Sequence, residues 1–513
     1  MSDVILYFSK VIENPLWFRI PLGYLILGTE LEKNGIDVSI IDGNLEKKAK
    51  EKITLIANKN RKFIFGISAM TGYQIEDGLR MAKFIRKNYP KALLVWGGWH
   101  SSLLPHDTLK DDLVDCIVIG PGEEILGELV NAFKNNKDFN GIAGMGYKKN
   151  NQIIINEMRG FPDFSNHSLI KWDLINLNSY LMHDIAPRTV TYVSSRGCPY
   201  RCGFCAIKTI YKRHWFPLPT ARVISEFKYL KDNYGVDGVR FEDSNFFTSK
   251  KRVLELCEAM IKNNLNFKWS ALGRPNELIR YNQAELNLLK KSGLIQILVG
   301  AESADQDALD LITKDIKEPI LNDTIKICFK NDISMILSYM VGFPIANGKD
   351  IDLTLNRIKS LHSQFPFGEK NNEILLFYYT PYPGSDLYQL ALKYGFKEPE
   401  TLKTWATLTL NEFHAPWITK KQDRKIQRAM KTYRIIKFYI RGAEMLENLY
   451  QTLHTKRKKM FLRFLVYMVY KQFKYRISHK IYFFAFARYL FYTFSKVPIF
   501  KLLRDLENET ETV

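Results

Sequence analysis

The sequence predicts an α/β protein: a doubly wound parallel sheet, then an open, partial (β/α)6 barrel, then a basic, aromatic-rich helical tail. Three observations carry this. Apolar, β-branched runs alternate with amphipathic runs over the first 135 residues. The alternation restarts after a connector and repeats six times. The charge of +20 on 513 residues is concentrated near the C-terminal end. Between Lys420 and Arg504, 22 Lys and Arg face only Asp423, Glu444 and Glu447; the remaining residues hold 52 basic and 51 acidic groups. With 46% apolar and 25% charged residues, the chain is neither disordered nor a small stapled scaffold.

In the first block, strand-like runs fall at Val4–Phe8, Asp37–Asp42, Lys62–Ser68, Ala92–Trp96 and Asp115–Ile119. Helical runs at Leu22–Lys33, Gln74–Lys87 and Glu123–Lys134 separate them, the pattern of a parallel sheet with crossover helices. Ligands of such sheets bind at the carboxyl ends of the strands. Those ends read Asp42-Gly43, Ser68-Ala69-Met70-Thr71-Gly72, Gly97-Gly98-Trp99-His100 and Gly120-Pro121-Gly122-Glu123, Gly- or Ser-bearing turns that let a large ligand approach the backbone. This block is expected to span residues 1–148.

A connector over 149–185 carries Pro162 and few clean periods. Strand-like runs then recur at Thr189–Ser195, Gly238–Glu242, Phe267–Ala271, Ile295–Gly300, Ser334–Val341 and Ile374–Tyr379. Helical patterns such as Thr220–Tyr234, Lys251–Asn263, Gln283–Ser292 and Asp350–His362 follow them. Six βα units over 186–400 suggest a partial barrel, in which chemistry sits on the loops after the strands.

The last segment, 401–513, has Lys456-Arg457-Lys458-Lys459 and fifteen Phe or Tyr between Phe461 and Phe500. Basic residues among aromatics suit helices lying in a lipid interface. An RNA-binding tail and a helical cap on the barrel are the competing readings. Basic residues recur every eight or nine positions, so no uncharged run of about 20 residues spans a membrane. The N-terminus has no signal-peptide pattern. The expected location is cytoplasmic, with peripheral contact on the inner face of the membrane through the tail.

Six cysteines occur, and three of them lie in Arg196-Gly197-Cys198-Pro199-Tyr200-Arg201-Cys202-Gly203-Phe204-Cys205, after the first strand of the second block. Three thiolates on one tight loop suit three corners of a four-iron cluster. The fourth iron is then left open, as in catalytic metal sites. A zinc knuckle completed by His214 is the alternative. Cys116 sits in an apolar strand run and Cys257 and Cys328 in helical ones, and all three read as small core residues.

With this C-x3-C-x2-C loop the sequence resembles the radical S-adenosylmethionine (radical SAM) superfamily, in particular its cobalamin-binding branch with an N-terminal Rossmann-like domain. Over residues 1–400 the resemblance includes Pro21-Leu22-Gly23, the two glycine turns of the first block, Glu242-Asp243, Gly300-Ala301-Glu302-Ser303, Gly342-Phe343-Pro344 and Pro381-Tyr382-Pro383-Gly384. It implies that Cys198, Cys202 and Cys205 hold a [4Fe–4S] cluster whose open iron chelates S-adenosylmethionine. One-electron reduction would then cleave the sulfonium to a 5′-deoxyadenosyl radical. It places Phe204 beside the adenine and Asp243 and Glu302 on the amino group or ribose. Arg274 would pair with the carboxylate through a bidentate fork.

The same resemblance assigns Ser68, Gly97, Gly98, His100, Gly120 and Gly122 to cobalamin. For His100 a solvated loop histidine is the other reading. No D-x-H-x-x-G occurs, so a histidine ligand on cobalt is not indicated. The implied activity is methyl transfer to an unactivated carbon or phosphinate of a small, lipid-like substrate, with an electron donor such as flavodoxin or ferredoxin. Radical cyclisation or rearrangement without methylation is the second expectation. Methylthiolation would need more N-terminal cysteines than Cys116. A nucleic-acid partner is not expected.

Overall fold

A computed structural model describes residues 2–11, 19–345, 348–367, 372–409 and 413–432. The first sheet contains β1 (Val4–Phe8), β2 (Val38–Asp42), β3 (Ile64–Ser68), β4 (Leu93–Gly97), β5 (Cys116–Val118), β6 (Met145–Lys149) and β7 (Gln152–Ile155). Its order is β2-β1-β3-β4-β5-β6-β7. The first five strands are parallel and the last two are antiparallel additions. The strands are short and almost wholly buried, because crossover helices such as Leu22–Lys33, Tyr73–Asn88 and Glu123–Lys134 cover the sheet.

The hairpin β6–β7 turns through Asn150 and Asn151, whose φ angles are 52° and 60°. Two consecutive left-handed residues make the tight turn whose twist matches a hairpin, and asparagine tolerates it. The first sheet therefore continues to Ile155, and residues 149–155 form part of it and not of a connector.

Strand order reverses at β1, which lies between β2 and β3; this is the topological switch point where such sheets bind ligands. Tyr24 ties the two strands there. Its hydroxyl donates to the Tyr7 carbonyl at 2.6 Å and accepts from the Ser68 amide at 2.6 Å.

The second block contains β8 (Thr189–Tyr192), β9 (Ser195–Gly197), β10 (Trp215–Pro217), β11 (Gly238–Phe241), β12 (Lys268–Gly273), β13 (Leu294–Glu302), β14 (Ser334–Val341) and β15 (Glu373–Tyr378). Six of these form a sheet of order β15-β14-β13-β12-β11-β8, with β15 and β8 at its two ends. The pairs from β8 to β14 are parallel. This is a partial barrel. Its helices have clear sequence causes: Thr220–Tyr234 stops at Gly235 in the left-handed region, and Gln283–Lys291 starts on an Asn282–Glu285 capping box.

Packing divides the chain into two units, Met1–Thr354 with Phe377–Thr419, and Leu355–Leu376 with Lys420–Val513. Both strand-end clusters described below belong to the first. After β15 the chain returns to the first sheet: Tyr388, Ala391, Phe396, Leu402, Trp405 and Leu408 share one buried apolar cluster with Ile5, Phe65 and Trp96. Residues 401–409 thus pack as core of the first sheet. Most of the basic, aromatic tail, 433–513, lies outside the described residues. Among the described residues, no helix is long and apolar enough to cross a membrane.

Candidate active site

The cysteine loop rises from a hairpin. β9 and β10 pair antiparallel, with Gly197 opposite Trp215. Gly197 has φ +74°, and a Cβ there would collide with the His214 carbonyl oxygen, so only glycine fits. The Gly203 amide donates to the Ile312 carbonyl at 2.7 Å, and its carbonyl accepts from the Leu387 amide at 3.0 Å. Cys205 N donates to Cys202 O at 3.1 Å. These bonds fix the loop against the barrel.

Cys198, Cys202 and Cys205 are all free thiols. Burial pushes the Cys198 thiol up and that of Cys205 up to about 11. Such thiols become ligands only when a metal centre takes the proton's place. His214 is engaged elsewhere: its Nδ1 lies 3.1 Å from the Tyr211 carbonyl and its ring stacks on Phe216 at 5.8 Å. Three free thiols on one loop are the donor set that a four-iron cluster takes, with one iron left open. Cys116, Cys257 and Cys328 are buried at 0%, 1% and 2% exposure and pack as core.

Around this loop the structure gathers Arg274, Phe204, Lys314 and Glu302. Arg274, just after β12, donates from Nη1 to Cys202 Sγ at 3.0 Å and from Nη2 to the Lys314 carbonyl. Its guanidinium lies 3.9 Å from the centre of the Tyr200 ring. Lys314 Nζ donates to Glu302 Oε1 at 2.6 Å and lies 6.0 Å from the centre of the Phe204 ring. Glu302 ends β13 with φ +60°, beside a register shift; that kink turns its carboxylate toward Lys314.

Asp243 is placed differently. It is fully buried and accepts from the Ser194 amide at 3.0 Å, Ser194 Oγ at 2.9 Å and Ser195 Oγ. Burial pushes its carboxyl up, while these bonds and the charge of Arg252 pull it back. Arg252 donates to the Ser194 carbonyl at 2.8 Å. Asp243 and Arg252 therefore clamp the base of the cysteine hairpin.

At the first sheet, Gly97 and Gly98 join β4 to a short helix, and a Cβ on Gly98 (φ +86°) would collide with the Ser68 hydroxyl. Gly120 has open space where a side chain would be, and Gly122 begins the helix Glu123–Lys134. Of these glycines only Gly120 faces open space; a Cβ on Gly98 or Gly122 would meet Ser68 and Ala69, or Val118 and Leu27. His100 follows on the short helix that begins at Gly98, its amide donating to the Ala69 carbonyl at 3.1 Å. It is 1% exposed, its Nδ1 is 2.9 Å from Thr71 Oγ1, and its ring meets Trp405 edge-on at 5.5 Å. The solvated-loop reading of His100 is thereby corrected: Trp405, brought in by the returning segment, covers it. Burial lowers its pKa to about 4.

Two ion pairs cross between the sheets at these ends. Arg196, two residues before Cys198, pairs with Glu123 at 2.5 Å, next to the Gly120–Gly122 turn. Arg19 pairs with Glu242 at 2.5 Å.

Residues 18–130 match the B12 binding domain and residues 192–358 match the radical SAM superfamily. The chain is a cobalamin-binding radical SAM enzyme. Cobalamin, a [4Fe–4S] cluster and S-adenosylmethionine are its cofactors. This radical SAM enzyme is similar to an uncharacterized methyltransferase of Pyrococcus horikoshii, 27% identical over 442 residues covering 84% of this chain and 90% of the relative. It is also 25% identical over 376 residues to the anaerobic magnesium-protoporphyrin IX monomethyl ester cyclase of Synechocystis sp., covering 72% of each. Its fold is that of the cobalamin-dependent S-adenosylmethionine radical enzyme OxsB, with TM-score 0.66 and 15% identity over 92% of this chain and 71% of that one.

Lys314 and Arg252 escaped the sequence reading; they lie on a loop and a helix without a motif and meet the site only through tertiary packing. Glu123 and Arg196 are legible as part of the Gly120–Glu123 turn and the cysteine motif, but not as partners of each other.

Proposed function

We propose that the radical SAM enzyme is a methyltransferase acting on an unactivated carbon or a phosphinate of a hydrophobic substrate. The reading rests on one arrangement: three free cysteines on a fixed hairpin, tied through Arg196–Glu123 to the glycine cradle of the first sheet. When bound, the cofactors supply reductive cleavage of the sulfonium and a methyl carrier. Cys198, Cys202 and Cys205 hold the cluster, and Phe204 with the Glu302–Lys314 pair borders the nucleotide. Arg274 reaches the nucleotide's carboxylate only with N–H groups not already given to Cys202 and Lys314. Asp243 acts on the nucleotide only indirectly, by holding the hairpin. Ser68, Gly97, Gly98, Gly120 and Gly122 form the corrin cradle, with His100 packed behind it and not on cobalt.

Similarity to the Synechocystis cyclase favours a second reading, ring closure with the same cofactors and no methyl gain. A hydrophobic substrate is supported by the aromatic composition of the tail, which would also bring the enzyme to an anionic membrane surface on the cytoplasmic side. Flavodoxin or ferredoxin would supply the electron.

The test is anaerobic turnover of hydrophobic extract fractions with dithionite, hydroxocobalamin and methyl-labelled S-adenosylmethionine. Label in a product heavier by one methylene supports methyl transfer; a product without label supports the cyclase reading. Alanine at any one of the three cysteines should remove iron, sulfide and sulfonium cleavage together. Loss of flotation with anionic liposomes on deletion of Lys456–Val513 tests the tail.

A further inference from the structure

We propose that Arg274 tunes the cluster's reduction potential, its guanidinium donating a charge-assisted hydrogen bond to Cys202 Sγ that favours the reduced state. The proposal rests on reading Cys198–Cys205 as the cluster loop and deepens it. Arg274 is 5% exposed and held from several sides. Nη1 is 3.0 Å from Cys202 Sγ, Nη2 donates to the Lys314 carbonyl, and Nε is 3.4 Å from Asn276 Oδ1. Its flat face rests 3.9 Å from the centre of the Tyr200 ring. Tyr200 is fixed in turn by its hydroxyl, which donates to Glu277 Oε1 at 2.6 Å. A guanidinium stacked and bonded in this way keeps its place beside the sulfur.

The three thiols are not equivalent. Cys198 and Cys205 meet backbone donors, the amides of Tyr200 and Ile207. Among the described residues, Cys202 has the charged donor. Lys314 is paired with Glu302, while the Glu277 carboxylate, bonded to the neutral donors Tyr200 and Asn245, opposes Arg274 at Cys198; at Cys202 the guanidinium is in direct contact. Reduction adds one electron, supplied by the external donor, to the cube and its ligating sulfurs. A buried cation in contact with one of those sulfurs stabilises the extra negative charge more than it stabilises the oxidised form. Hydrogen bonds to ligand sulfurs are among the levers that set such potentials.

The experiment is an EPR-monitored redox titration of the anaerobically reconstituted full chain, without S-adenosylmethionine. Arg274→Gln removes the charge and, being two bonds shorter, the contact with Cys202 Sγ. At a fixed potential it should hold about tenfold less reduced cluster relative to oxidised, a midpoint about 59 mV more negative for one electron. Arg274→Lys should fall between the two. An unshifted midpoint in Arg274→Gln overturns the proposal. If that variant takes up no iron, Tyr200→Leu decides, since it removes the ring beneath the guanidinium but keeps the charge. A lowered midpoint supports the proposal and a wild-type midpoint overturns it. Iron and sulfide analysis of the wild type separates the two claims: a chain without them sinks the cluster reading and this proposal together, whereas an unshifted variant sinks only the tuning role.

Discussion

Lys314 and Glu302 are twelve residues apart, yet both side chains are more than nine-tenths buried and meet at 2.6 Å. A buried pair of this kind contributes little net stability, but removing one partner strands a charge. Lys314→Met should therefore destabilise the fold by about 3–5 kcal/mol in chemical denaturation. Adding Glu302→Gln should recover most of that loss, because no uncompensated carboxylate remains. At this scale the sequence was legible where a motif fixed the spacing, as with Cys198, Cys202, Cys205 and Phe204. Glu302 was recognisable as a carboxylate at a strand end, but its partner was not, since nothing in the run Leu311–Asp315 marks Lys314 as buried. Asp243 shows the opposite limit. Its position after β11 was readable, but its rotation toward Ser194 and Ser195 depends on a hairpin whose geometry no local pattern reveals.

Elements carry the site through their ends. The β9–β10 hairpin needs a left-handed residue where Gly197 meets the His214 carbonyl. Gly197→Ala combines an unfavourable φ, costing about 1–3 kcal/mol, with a collision against backbone that cannot move aside. We expect native secondary structure by circular dichroism but a marked fall in iron bound after reconstitution. Full iron content in this variant would contradict that account of the loop. Elements with strong periodicity were readable in the sequence to within a residue or two: Val4–Phe8, Leu22–Lys33 and Thr220–Tyr234 agree with the structure at both ends. The hairpin β6–β7 was missed because its signal is a pair of asparagines in the left-handed region. The helical run around Cys328 was readable, and the structure gives it the bounds Glu318–Lys330, with Leu321, Ile325 and Cys328 buried at helical spacing.

Over the whole molecule, the returning segment binds the end of the barrel to the first sheet, and His100 records that packing chemically. Its pKa is lowered from about 6.5 in an unfolded chain to about 4 by burial, with Asp107 opposing weakly. The unfolded state therefore binds the proton first. The His100 contribution is intact above pH 6.5 and is lost as the pH falls toward 4, by a total on the order of 3 kcal/mol. Asp350, raised to about 6 by burial, acts with the opposite sign, so the effect is best read as a difference. The stability gap between wild type and His100→Gln should narrow by that amount between pH 6.5 and 4 in urea denaturation; a constant gap would place His100 outside the buried cluster. None of this was visible from the glycine turn alone, because Trp405 lies about three hundred residues away in the chain.

The clasp formed by Tyr388, Leu402, Trp405 and Leu408 has a consequence for how this gene can be divided. The half that carries the corrin cradle borrows its last layer of oil from beyond the half that carries the cysteines. A clone stopped at the connector would present a raw greasy flank to water, so the two catalytic halves are not interchangeable cassettes.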